Sequence, residues 1–486
     1  MSTPAVPLAG VLLTLLLWPL ALPGDLALRD MLVLDSPALS PSALGLGDLA
    51  ARNVPQDGLL AVVGLLLPAS WVARLLILAG GVAGVVGAVW LARLVGGGRL
   101  GACAAVTVVL WNPFVVERLL QGHWSLVIAG WLLPLIAAAA LAGRWPVAWL
   151  AMWAASLTPT GGLLALVTGV AVARGRRGWT VLVGLACSLP WIIPGLLGGS
   201  TAAGDSVAAF APRAEAHVGT LGALLGLGGV WNADAVPASR ESGFALAGVA
   251  LFALLLLGIR RVPVPLLVLA GLGLGGAVAA WLLPGPLAWA VAEIPGAGLL
   301  RDASKLTVLA LPAYAALAAS SRPWAAGLAI ALALLQVPDA PRALAQLTPV
   351  HLDVDEELVA RADGRDTLLV DHPPLIHRPD GRPVIHPLNK ALAAVESGAL
   401  VVDGEVVDQP SPRWVAAHQA WRAGDLDTLA DLGVGLIVDG DRVVETTAPA
   451  RPIWPGLLLL AGWLLIPPVL AAAARNARPS SPTRCR

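Results

Sequence analysis

The chain has 486 residues, of which 57% are hydrophobic and 13% charged, with a mean hydropathy of +0.78. Soluble domains are roughly a quarter charged, so a soluble enzyme, a disordered chain and a basic nucleic-acid binder are all excluded. The 31 basic residues balance 31 acidic ones, and three cysteines make no disulfide scaffold. What remains is a multi-spanning membrane protein with the lipid bilayer as its solvent and no nucleic-acid partner.

A spanning helix needs about 20 mostly apolar residues. Such runs lie at 5–22, 70–92, 100–116, 124–143, 179–197, 244–259, 263–283, 305–320, 323–338 and 452–474. Residues 58–67 form a shorter apolar run. Residues 145–173 form a long one, interrupted by Thr158-Pro159-Thr160-Gly161-Gly162. The positive-inside rule resolves both. With the N-terminus inside, 58–67 not spanning and 145–173 crossing twice, the inside segments hold Arg93, Arg99, Arg144, Arg174, Arg176, Arg177, Arg260, Arg261, Arg322, Arg475, Arg478, Arg484 and Arg486, and no acid. All Asp, Glu and His then fall outside. This predicts twelve crossings with both termini cytoplasmic. Of the 31 basic residues only Lys305 and Lys390 are lysine, a bias that, with the excess of Ala, Gly, Val and Leu, reads as a GC-rich bacterial coding sequence. The expected location is a bacterial plasma membrane.

The expected architecture is an all-α polytopic bundle over 1–338, a small extracytoplasmic α/β domain over 339–451, a last span at 452–474 and a basic cytoplasmic tail at 475–486. Two outer loops, 23–57 and 199–243, are long enough to carry function. Within the α/β domain, Thr367–Val370 and Gly435–Asp439 read as buried strands, Trp414–Gly433 as a helix and Ala399–Val407 as a strand pair turning at Asp403-Gly404.

Glycines at 80, 84 and 87, and the run Gly271-x-Gly273-x-Gly275-Gly276, lie within spans and read as close helix approaches rather than nucleotide loops. His372, His377 and His386 sit in a Pro-rich stretch, where spacings of five and nine could close on a metal, although solvated loop histidines are commoner. No cofactor is expected, and no clear motif supports a divalent metal. The spans lack mid-membrane charge, which argues against an ion pump or lipid transporter.

Charges gather instead at the outer span ends. Asn112-Pro113 bends one span and presents Glu117, Arg118, Gln121 and His123; the run Leu300-Arg301-Asp302-Ala303-Ser304-Lys305 leads into another. In a helix, Arg301 and Lys305 share a face, and cations at that depth suit a lipid phosphate. Sugar transfer from a lipid phosphate needs a carboxylate to take the acceptor's proton and cations to neutralise the departing phosphate. The first outer loop supplies Asp30, beside Arg29, and Asp35.

These features resemble the GT-C superfamily of integral-membrane glycosyltransferases, particularly actinobacterial cell-envelope members using polyprenyl-phosphate sugars. The stretches carrying the resemblance are RDMLVLDSPALSPSALGLG at 29–47, NPFVVERLLQGHW at 112–124, SLTPTGG at 156–162 and GLLRDASKL at 298–306. The resemblance implies a catalytic acid in the first outer loop, best matched by Asp30 and then Asp35. Arg29, Glu117, Arg118, His123, Arg301, Asp302 and Lys305 are the candidate phosphate-binding set. It implies a polyprenyl-phosphate sugar donor, an envelope glycan or glycolipid acceptor, and an inverting reaction in cell-wall biogenesis. The loop has no Asp-x-Asp or Asp-Asp pair. The alternative is a non-catalytic envelope-assembly or lipid-binding protein on a degenerate GT-C body.

Overall fold

The computed structural model describes residues 4–198, 206–402 and 405–476. The Asp403-Gly404 turn, the start of the 199–243 loop and the basic tail beyond 476 lie outside the described residues.

Among the described residues, eight helices are long and apolar enough to cross a membrane: Ala69–Leu94, Arg99–Gln121, Trp124–Leu141, Arg177–Leu197, Val264–Leu282, Ala303–Ser320, Pro323–Leu347 and Trp454–Ala473. The expected count of twelve is not reached. The four missing segments form helices that stop short: Ala5–Leu17, Trp145–Ala155, Pro159–Val172 and Ala245–Leu255, of 13, 11, 14 and 11 residues. At 1.5 Å per residue these cover roughly 17–21 Å, less than the ~30 Å hydrocarbon core. Ser156 to Thr158 separates the helices of the 145–173 hairpin, with Pro159 opening the second. The run at 58–67 becomes the nine-residue helix α2.

For the bundle we use α1 (Ala5–Leu17), α2 (Gln56–Gly64), α3 (Ala69–Leu94), α4 (Arg99–Leu110), α5 (Pro113–Gln121), α6 (Trp124–Leu141), α7 (Trp145–Ala155) and α8 (Pro159–Val172). Helices α3 and α6 pack through the expected glycines. A Cβ at Gly80 presses on Ile128, one at Gly84 on Trp131, and one at Gly87 collides with the backbone at Leu135. Only small residues permit that approach. In the second glycine run, Gly273 and Gly276 meet Leu306 of the following span, whereas Gly271 and Gly275 face open space.

Among the described residues there are ten short strands: β1 (Leu26–Leu28), β2 (Met31–Val33), β3 (Asp366–Leu369), β4 (Leu375–His377), β5 (Pro383–Ile385), β6 (Ala393–Ala394), β7 (Leu400–Val402), β8 (Glu405–Asp408), β9 (Leu436–Asp439) and β10 (Arg442–Glu445). The main sheet has order β10-β9-β3-β6, with β3 parallel to β6 and β9 and β10 antiparallel to β9. Helices cover both faces, as parallel strands require. Leu369, Leu436 and Val438 pack with Leu358 and Leu392 on one side; Leu368 and Ile437 pack with Ala417, Ala420 and Leu429 on the other. The helix expected over Trp414–Gly433 is two, Pro412–Ala423 and Leu426–Asp431. Gly424 takes a left-handed φ of 71° and Asp425 caps the second helix by accepting from Thr428 N at 2.9 Å.

This α/β unit is docked on the first loop. Ala27, Leu32 and Leu34 of the β1–β2 region share a core with Val384 and Ala391. Buried Arg378 donates to the carbonyls of Ala27, Gln346 and Thr348. Lys390 pairs with Asp57 at 2.6 Å.

Candidate functional site

The span containing Asn112 breaks because Pro113 cannot donate to the preceding turn. Asn112 then restarts the helix as its N-cap, accepting from Val115 N at 3.0 Å, while its amide donates to the carbonyls of Val108 and Val109. Helix α5 ends at Gly122, with φ 94°. A Cβ there would strike the amide nitrogen of Met31, so glycine allows the β1–β2 hairpin to rest on the end of α5. The hairpin pairs Leu28 with Met31 and turns through Arg29 and Asp30. Arg29 takes the left-handed φ of 50° that a two-residue hairpin turn demands. The amide of Asp30 donates to the carbonyl of Gln121 at 3.2 Å.

The Asp30 side chain is 51% exposed. Its Oδ2 accepts from Gln121 Nε2 at 2.8 Å and lies 3.0 Å from His123 Nε2. Asn232 Nδ2 donates to Gln121 Oε1 at 2.8 Å, which fixes the Gln121 amide with its nitrogen toward Asp30. Behind His123, Arg118 forks onto Asp302 at 2.6 and 3.0 Å and onto Ser304 Oγ at 2.6 Å. Arg118 Nη1 donates to His123 Nδ1 at 3.4 Å. Lys305 Nζ is 3.7 Å from Asp302, with its side chain 19% exposed.

Partial burial works against ionising Asp30, but the hydrogen bonds from His123 and Gln121 and the Lys305 charge prevail, holding its carboxyl below the usual range. Burial pushes the His123 imidazolium below its ordinary value, assisted by Lys305 and Arg118 and opposed by Asp30. Asp302 is buried, yet Arg118 and Lys305 hold it well below the carboxylate range. At neutral pH the site therefore sets the ionised carboxyls of Asp30 and Asp302 and a neutral His123 imidazole beside Arg118 and Lys305.

Lys305 and Asp302 stand at one wall of a narrow cavity of about 30 Å³, otherwise lined by Thr160, Leu163, Leu164, Leu299, Leu300 and Leu306. On the other side, Phe210 meets Trp231 edge to face at 4.8 Å and lies under the Arg301 guanidinium at 4.2 Å. Arg301 donates to Asp408 of β8 at 2.6 Å, and Arg52 approaches the same carboxylate at 3.9 Å. The contacts Asp30–Gln121–Asn232 and Asp30–His123–Arg118–Asp302 thus begin at one carboxylate and diverge to two walls.

The expected residues divide accordingly. Asp30, Arg118, His123, Asp302 and Lys305 come together. Arg301 does not share a face with Lys305, because Ala303–Ala310 is a 3₁₀ helix that begins only after Asp302. Arg29 supports the turn: its guanidinium donates to the carbonyls of Leu120, at 2.7 Å, and Asp234. Glu117 is buried, accepts from Val230 N at 3.0 Å, and neighbours the closed pair of Glu215 and Arg240, so it pins the segment carrying Asn232. Asp35 lies apart, accepting from Ser70 Oγ at the start of α3. Asn232 and Ser304 are additions, and Gln121, named in the sequence with Glu117, Arg118 and His123 but not in the phosphate-binding set, joins the site at Asp30. Gln121 is three residues past Arg118 on α5, a spacing visible in sequence; Asn232 has no local signal.

Among the described residues no group of three or more His, Cys, Asp or Glu is placed to hold a metal ion. His372 and His386 face each other edge to face at 5.3 Å.

No protein-family model matches the chain, and no curated protein matches it by sequence. Solved structures do match. The arabinofuranosyltransferase AftD from Mycobacteria superposes with a TM-score of 0.50 at 19% identity, over 94% of this chain and 36% of that one. Two structures of a mutant of that enzyme match with TM-scores of 0.48 and 0.45 at 21% and 19% identity, over 94% and 95% of this chain and 38% of theirs. The chain shares the fold of the matching part of that enzyme. This multi-pass membrane chain spans little more than a third of the length of those structures. The likeness covers the bundle and the α/β unit together, since nearly all of this chain aligns.

Proposed function

We propose that this protein is a membrane glycosyltransferase acting on the extracytoplasmic face of a bacterial plasma membrane, with both termini cytoplasmic. The donor is a polyprenyl-phosphate sugar, and the acceptor is a hydroxyl of an envelope glycan or glycolipid. The observation carrying this reading is the placement of Asp30. One carboxylate oxygen is tied by Gln121 and His123, while Oδ1 has no hydrogen bond among the described residues, on a half-exposed side chain near Lys305.

In the proposed reaction Asp30 Oδ1 accepts the proton of the acceptor hydroxyl as its oxygen attacks the anomeric carbon. The bond from that carbon to the phosphate oxygen breaks, and its electron pair stays on the leaving polyprenyl phosphate. Attack opposite the leaving group inverts the anomeric centre. Lys305 stabilises the anionic leaving group, with the lipid's first isoprene units against Leu163, Leu164, Leu299 and Leu300. Arg118 supports the site from behind, since Asp302 and Ser304 already occupy its fork. Asp35 is the weaker candidate base because Ser70 engages it. The arabinofuranosyl group named for the fold neighbour is the first donor sugar to test.

The test is rescue of a deletion strain, read by profiling envelope glycans and glycolipids. Wild type restores a missing glycan and Asp30→Asn at matched expression does not. Equal restoration by both overturns the reading and favours an assembly role.

A further inference from the structure

Resting on the reading of Asp30 as the base, we infer that His123 is a positioning residue that couples the Asp302–Arg118 ion pair to Asp30 and disconnects when protonated. The argument begins at the far end. Arg118 is held by three hydrogen bonds from two nitrogens to Asp302 and Ser304, in a buried pocket. A guanidinium has only protons to offer. The ring nitrogen that faces it, His123 Nδ1, therefore presents its lone pair, and the ring proton resides on Nε2. That proton points at Asp30 Oδ2, 3.0 Å away. Arg118 thus selects the tautomer, and the tautomer selects which Asp30 oxygen is bound. With Gln121 on the same oxygen, Oδ1 is left to meet a hydroxyl.

Protonation reverses this. An imidazolium carries a proton on Nδ1, directed at Arg118, and places a third cation among Arg118 and Lys305. The charged groups facing His123 are Asp30 from the hairpin, Arg118 from α5, and Asp302 and Lys305 from the start of the 303–320 span. The Arg118–His123 hydrogen bond cannot survive the change, while the Nε2 proton now ties Asp30 Oδ2 in a charge-assisted pair, so Asp30 becomes a weaker base while still ionised. Loss of transfer on acidification then follows His123 rather than Asp30.

Two measurements test this, and one needs no substrate. The first is the pH dependence of melting temperature for purified wild type and His123→Gln in detergent. A histidine held neutral in the folded state binds its proton more readily when unfolded. Its contribution therefore rises with pH and is lost as pH falls through the ordinary histidine value of about 6.5. Wild type loses melting temperature relative to His123→Gln between about pH 7.5 and 5; a constant difference overturns the inference. The second is the pH profile of transfer from a synthetic polyprenyl-phosphoryl sugar. His123→Ala lowers kcat by about 10- to 100-fold with little change in donor KM. His123→Gln, whose amide can still donate to Asp30, recovers most of that loss and moves the acid limb to lower pH. An unmoved acid limb, or wild-type kcat in His123→Ala, overturns the inference. Activity in Asp30→Asn instead overturns the reading of Asp30 as the base, and the melting experiment still decides the state of His123.

Discussion

Arg118 and Asp302 lie 184 positions apart in sequence and meet through two hydrogen bonds at 2.6 and 3.0 Å, with side chains only 2% and 3% exposed. The pair joins the end of α5 to the start of the 303–320 span. Two buried charges at this depth persist because each satisfies the other and Ser304 Oγ accepts from Arg118 and donates to Asp302. This pair gives the site its rigidity.

Removing one partner leaves the other buried and unpaired, at a cost of about 3–5 kcal/mol. Asp302→Ala and Arg118→Ala are both expected to lower the melting temperature of the detergent-purified protein. Arg118→Lys is expected to fall nearly as far, since an ammonium cannot fork onto a carboxylate. Tryptophan fluorescence during heating measures all three. Unchanged melting in Asp302→Ala would show that the pair contributes nothing to stability.

Lys305 touches Asp302 only at 3.7 Å and keeps part of its side chain exposed beside the leucine-lined cavity. It is a loosely held cation close to Asp30. Lys305→Gln is expected to raise the KM for a phosphate-linked donor by about tenfold or more, corresponding to one charge-assisted contact of about 1.5–3 kcal/mol. Lys305→Arg should retain most of the affinity. The donor-concentration dependence of transfer measures both. An unchanged KM in Lys305→Gln would place the phosphate elsewhere.

The charges at 117–123 and 301–305 were legible as a pair of interesting helix ends, because charge is conspicuous in an apolar chain. That Glu117 and Arg118, adjacent on α5, serve opposite neighbours was not. One reaches Val230 and the other Asp302, and both partners are distant in sequence. The β1–β2 hairpin was hidden for another reason. Its strands are three residues each and fully buried, so no alternation appears. Strands β3 and β9 were visible as apolar runs, whereas β10, written Arg-Val-Val-Glu on the sheet edge, was not. Hydropathy found the apolar segments of the bundle and the break at Thr158-Pro159, but not the α-helix ends at Leu17 and Leu255.

Asp30 and Asp35 are five residues apart, and the sequence ranks Asp30 first and Asp35 second as the catalytic acid. The structure separates them: Asp30 lies in the hairpin turn and Asp35 against Ser70. Asp35→Asn is expected to keep kcat within about threefold of wild type while lowering stability by up to about 1 kcal/mol at the start of α3. Asp30→Asn is expected to lose transfer by about 100-fold or more with its melting temperature nearly retained. Measuring rate and melting together on both variants separates the roles. A dead Asp35→Asn with full stability would make Asp35 the base.

Gly122 is the closest approach between α5 and the hairpin. Its φ of 94° disfavours any side chain, and an added methyl meets Met31 N and lies 2.8 Å from Leu28 O. Gly122→Ala therefore displaces the hairpin in two ways, through the backbone and through contact. The displaced element carries Asp30, so kcat should fall by about 100-fold even in protein that still folds, while donor KM, set around Lys305, changes little. Gly143→Ala is the control. It is another helix-terminal glycine with left-handed φ, 68°, but its Cβ would meet nothing within 4 Å. It carries the conformational cost without the collision, and should lose stability but retain the rate. If both variants lose the rate equally, backbone strain rather than hairpin docking explains the effect, and the position of Asp30 does not depend on the Gly122 contact.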